Sequence, residues 1–154
     1  MQEPTDGQVH YMPLSVKYLD GGGGVFAEAS GQLAGSELLT AMTDVNSPDL
    51  AEKPILYTFF DFNGVVGVSI SAVQIQAAAD LAIKGSRYQS VGRVVAIYAK
   101  DDLPFALARM WQVFVDQAGW ETYVFRDRLD AVTWVQERVG ARFGLEVLLD
   151  PKGS

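Results

Sequence analysis

Apolar positions along this chain fall into two alternating patterns, and the alternation predicts an α/β fold. Residues 55–62 (ILYTFFDF) are apolar almost without a break, as in a central strand covered on both faces. Residues 71–84 read as a helix. Ser71 with Gln74 three positions on has the form of a capping box, and Gly85 suits the position just past the helix end. Residues 94–99 (VVAIYA) form the next buried strand. Residues 102–118 form a helix with Asp102 as N-cap and Pro104 in the first turn, where a missing N–H does no harm. Residues 120–125 make a third strand, and residues 128–139 a third helix capped by Asp127. Strand–helix alternation with short connections predicts a largely parallel sheet with right-handed crossovers.

Upstream, residues 14–19 and 25–30 are β-like. The glycine run between them (Gly21 to Gly24) reads as a hairpin connection, since glycine tolerates positive φ. A phosphate-cradling loop would need a following lysine and helix, which the run lacks. Residues 36–45 form a short helix ended by Asn46, Ser47 and Pro48. The expected organisation is a polar tail over residues 1–13, one α/β domain over 14–142, and an extension over 143–154. Residues 143–149 (FGLEVLL) are expected to add an edge strand.

Helical spacing in residues 102–118 places Leu103, Leu107, Met110, Phe114 and Ala118 on the sheet-facing side. Core positions should include these middle three with Leu56, Phe60, Val95, Ile97 and Trp134. Phe105, Trp111, Val115, Leu129, Val132 and Val139 are then left over. That surplus, with the strand-like tail, predicts a homodimer through exposed helix faces, the tail, or both.

Composition narrows the chemistry. The chain has 154 residues, 49% of them hydrophobic and 20% charged, which is enough to bury a core without disulfide or metal. It has no cysteine, so thiolate metal sites and cysteine nucleophiles are excluded, and its single histidine, His10, cannot supply a polyhistidine site. A formal charge of −7 opposes long-range attraction to nucleic acid. Residues 1–10 carry two acids and do not read as a signal peptide, and no apolar run is long enough to span a bilayer. A cytoplasmic protein is the expectation.

In a parallel sheet, residues just past the strands' C-terminal ends share one edge, where α/β folds usually bind ligands. That edge is expected to carry Asp61 and Asn63, Lys100 and Asp101, and Arg126 and Asp127, with residues 64–71 as a loop holding Ser69 and Ser71. No nucleophile stands beside a base, and no complete acid–base set emerges. The expectation is a protein without catalytic residues, cofactor or metal.

Three segments carry a resemblance: FFDFNGVVGVSISA, RVVAIYAKDDLPFALARM and FRDRLDAVTWV. Over residues 56–135 the chain resembles the SpoIIAA-like family, relatives of STAS domains grouped by similarity with CRAL-TRIO lipid carriers. The resemblance implies a mostly parallel sheet of four to five strands flanked by helices, and a role in binding rather than turnover. In antagonist STAS domains a partner kinase phosphorylates a serine that falls on Ser71 here. Ser69 replaces the family's aspartate, Ile70 the preceding serine, and Ala72 the glycine. The helix cap alone explains Ser71 completely. Two functions follow as expectations. One is a regulatory protein-interaction module using Asp61, Asn63, Ser69, Ser71, Lys100 and Asp101. The other is a carrier or sensor enclosing a small lipophilic ligand in a pocket of roughly 300–1,000 Å³.

Overall fold

The apolar runs become the parallel part of one mixed sheet. The computed structural model describes the backbone of residues 8–11 and all of residues 13–149. In chain order the elements are β1 (Gln8–Tyr11), β2 (Leu14–Leu19), β3 (Gly24–Ala34), α1 (Gly35–Val45), β4 (Tyr57–Ser69), α2 (Ala72–Ser86), β5 (Val94–Tyr98), α3 (Asp102–Phe114), β6 (Glu121–Phe125) and α4 (Arg128–Phe143). The six strands lie in sequence order across the sheet. From β3 to β6 every pairing is parallel, whereas β1–β2 and β2–β3 are antiparallel.

Because β3 to β6 are neighbours in order, the three crossovers all step the same way, and a common hand puts their helices on one face. There α1, α2 and α3 cover Val16, Ala27, Phe60, Val95, Ile97 and Val124. The chain leaves β6 for the opposite face, where α4 buries Tyr57, Phe59, Val94 and Ala96 beneath Ala131, Val132, Val135 and Val139.

The expected sheet of four to five strands is therefore six-stranded and mixed. The supposed N-terminal tail contributes β1, whose register sets His10 opposite Ser15. The supposed edge strand over residues 143–149 does not form. Helix α4 runs on to Phe143 and stops at Gly144, whose φ of 65° ends the helix. The following segment presses Val147 and Leu149 onto the α4-side core, and the Gln136 side chain donates to the Val147 carbonyl in place of a strand neighbour.

Helix α3 corrects the expected surplus. Its buried line runs through Ala108 and Trp111 and on to Val115, while Leu103 is 56% exposed and Leu107, Met110 and Phe114 are half-buried. The helix is rotated because both candidate stripes were apolar, and the one carrying the indole packs against the sheet. Val132 and Val139 are also fully buried, so four of the residues from which a homodimer was expected are core. Of the expected core positions, Phe60, Val95 and Ile97 are buried, and Leu56 and Trp134 half-buried. Gly85 is not past the end of α2 but inside it. A Cβ there would stand 2.5 Å from the Asn46 side-chain oxygen, so it lets α1 and α2 close together.

Two polar contacts pin the lower end of the sheet. Arg93, 2% exposed, donates to Asn46 and Gln89 at 3.4 and 3.5 Å and lies 4.1 Å over the Trp120 ring. Burial lowers its pKa to about 9. On the opposite face the Tyr57 hydroxyl donates to Asp20, and burial and that bond hold the phenol far above its usual 10.0. A phenol whose pKa is raised by folding adds stability that is fully present below its unfolded pKa and is lost as pH climbs above it. Stability should therefore decline above pH 10, and Tyr57→Phe should show a shallower decline than the parent. Denaturant midpoints of both proteins on either side of that pH check this. Equal slopes would mean that Tyr57 does not govern the alkaline limb.

Candidate functional site

The sequence-predicted edge residues divide into two places. Within β4, opposite Tyr98 at the C-terminal end of β5, Asp61 is buried and its Oδ2 lies 3.2 Å from Arg128 Nε. Its Oδ1 accepts the Asn63 backbone N–H at 2.9 Å, and the Asn63 side-chain oxygen accepts from the Tyr98 hydroxyl at 3.3 Å. Burial, then the charges of Asp61 and Asp127, raise the Tyr98 pKa. Lys100 is exposed, and its carbonyl accepts from Arg126. Asp101, also exposed, is the N-cap residue of α3 without a side-chain bond. The expected cap, Asp102, is the first helical residue and instead pairs with Arg126 at 2.8 Å. That pair is solvent-facing and worth little.

Asp61 and Arg128 are a structural tie between β4 and the start of α4. Replacing Asp61 by Ala withdraws the carboxylate from a largely buried guanidinium, and the expected loss is about 3 kcal/mol. Chemical denaturation measures it. A loss below about 0.5 kcal/mol, the size of an ordinary surface change, would remove the tie from the account.

Ser69 and Ser71 lie elsewhere. The supposed loop over residues 64–71 is mostly strand, since β4 continues past the end of β5 and pairs with β3 alone as far as Ala34↔Ser69. Ser69 is thus about 25 Å of strand away from Asp61. Two register shifts bend this two-stranded ribbon, one between Glu28 and Ser30 and one between Gly31 and Gln32. Gly67 allows the strands to approach, because a Cβ there would fall 2.2 Å from the Gln32 side chain. Ser71 behaves as the sequence predicts. Its hydroxyl accepts the Gln74 N–H at 3.2 Å while Gln74 Oε1 accepts the Ser71 N–H at 3.0 Å.

By bending over the helix layer, the ribbon makes a cleft that no single segment of sequence announced. Its floor is Phe60, Phe62 and Ile97 on the sheet, with Phe60 stacked on Phe62 at 5.9 Å and edge-on to Trp111 at 6.3 Å. Leu33, Val65, Val68 and Ile70 of the ribbon and its exit form one wall. Leu38 and Met42 of α1, Ile75 and Ala78 of α2, and Pro104, Leu107, Ala108 and Trp111 of α3 form the rest. All fifteen lining residues are apolar, and only the Trp111 indole N–H can donate a hydrogen bond. The free volume is about 60 Å³, far below the size expected for a carrier, and the concavity counted out to its open mouth is about 560 Å³. Such a surface offers dispersion and water exclusion, and it has no acid, base or nucleophile.

Among the described residues no group of three or more metal-ligating side chains comes together, and no helix is long and apolar enough to cross a membrane. Compared with protein-family models, with curated proteins and with solved structures, the chain has no match.

Proposed function

We propose that this chain is a non-catalytic binding module whose ligand is a small lipophile seated in the cleft between the ribbon and helices α1, α2 and α3. One observation carries the reading: fifteen lining side chains, fourteen from six elements and Ile70 from the connection after β4, converge without a charged group, a hydroxyl or an amide among them. Small-molecule sites are concave and mostly apolar, and space lined only by apolar side chains suits an apolar guest better than water. The resemblance to the SpoIIAA-like family, grouped with lipid carriers, agrees with this reading. The small free volume sets its scale, so the ligand is only partly enclosed. Native mass spectrometry of the purified chain with dodecanol tests it. A complex of one chain with one alcohol is expected, and absence of any complex below the alcohol's solubility limit would overturn it.

A second reading is a regulatory protein contact. It is favoured by the exposure of Asn63, Lys100, Asp101, Ser69 and Ser71, with Val66 and Val73, 80% and 79% exposed, within three positions of the last two in sequence. Phosphate on Ser71 would add about −1.5 to −2 charges at the start of α2, where the helix dipole favours them. Pull-down from the native host with the parent chain and Ser71→Glu separates this reading. A protein retained by one form and lost by the other supports it, and identical recovery counts against it.

A further inference from the structure

We infer that the cleft takes the end of a single unbranched alkyl chain, tail first, and leaves the chain's polar head in water. This rests on the lipophile reading above and specifies its ligand. Size comes first. The free volume of about 60 Å³ is less than half of the roughly 150 Å³ of an apolar cavity that accommodates benzene. A ring enters whole or not at all, whereas a straight chain can place a few methylenes inside and lay the next ones along the opening. The cleft has this two-part form. Its inner end is made of buried side chains, Leu33, Phe60, Ile75, Ile97, Ala108 and Trp111 among them. Its mouth, between the ribbon and the start of α3, is made of the half-exposed Phe62, Val68, Ile70, Pro104 and Leu107.

The head group is settled by chemistry rather than size. Nothing that lines the inner end or the mouth carries a charge. The charged groups at the start of α3 are of mixed sign and solvated: Asp101 is exposed, and Asp102 is 95% exposed and already paired with Arg126. Such groups distinguish little between an anionic, a neutral and a cationic head at cellular salt, where the Debye length is about 8 Å. Affinity should therefore follow the number of methylenes removed from water, each worth roughly a fourfold gain.

The test uses the full chain and four probes, the alcohols below their solubility limits and the ions below their micellar concentrations: dodecanol, dodecanoate, dodecylammonium and cyclododecanol, with Trp fluorescence or calorimetry as readout. The three linear probes should agree within about threefold, and cyclododecanol, with the same number of carbons, should bind at least about tenfold more weakly. Cyclododecanol binding as tightly as dodecanol would overturn the linear-chain inference. A preference of about tenfold or more for one head group would overturn the tail-first inference. In either case the lipophile reading would stand. Failure of all four probes to bind would overturn both.

Discussion

Replacing Ala108 with leucine is expected to weaken the binding of an alkyl chain in the cleft while leaving the fold intact. Ala108 is 6% exposed, lies on the inward side of α3 and faces the free volume. Leucine adds three carbons where the ligand would otherwise place about three of its own. Each is worth about 0.8 kcal/mol, so the loss is about 2.4 kcal/mol, a fall in affinity of roughly fiftyfold. Filling a void should also raise the stability of the ligand-free protein, by about 0.5–2 kcal/mol. The two effects have opposite signs, which separates loss of a site from loss of the fold. A variant that is more stable and binds dodecanol as the parent does would place the ligand elsewhere.

The second large effect is expected at Gly24, far from the cleft. It begins β3 directly over the Tyr57 ring, and a Cβ there would fall 2.2 Å from Cζ. Tyr57 is fully buried and its hydroxyl is engaged with Asp20, so the ring has no free direction in which to retreat. Gly24→Ala should cost about 3 kcal/mol, at the upper end for overpacking, because the contact and the hydrogen bond are lost together. Gly22→Ala is a different case: nothing lies within 4 Å of its Cβ position, and only its φ of +99° resists substitution. A denaturation midpoint for Gly24→Ala equal to the parent's would show that the ring moves without penalty.

These residues also show how far the sequence could be read. The parallel heart was legible because residues 55–62 and 94–99 are continuous apolar runs, and only a strand buried on both faces needs such a run. Ser71 and Asp127 were legible as caps because capping is a local interaction within one turn, and both accept the backbone N–H groups expected of them. The ribbon was not legible. Residues 64–69 (GVVGVS) carry two glycines and short side chains, which is a loop's composition, and only pairing with β3 some thirty residues earlier makes them a strand. Nor was the face of α3, since two apolar stripes wind round it and nothing within the helix marks the one whose Trp111 meets Phe60 edge-on. The tie between Asp61 and Arg128 spans 67 residues of chain. The cleft draws one to four residues from each of six elements scattered along the chain, so neither spacing nor periodicity marked it. Its one signal was the apolar excess, which the sequence left open between a surface for a partner or a second copy of the chain and the lining of a lipophilic pocket.

The claim that an alkyl chain lies against Trp111 is tested most directly by contact quenching. The chain has three tryptophans, and only Trp111 lines the cleft, since Trp120 lies under Arg93 and Trp134 packs on the opposite face. In a protein carrying Trp120→Phe and Trp134→Phe, titration with an alkyl alcohol brominated near its tail should quench the remaining fluorescence in a saturable manner, one alcohol per chain. Unbrominated dodecanol should reverse it. Saturable quenching absent from Trp111 but present at Trp134 in the converse variant would contradict the account and move the lipophile to the α4 side of the sheet.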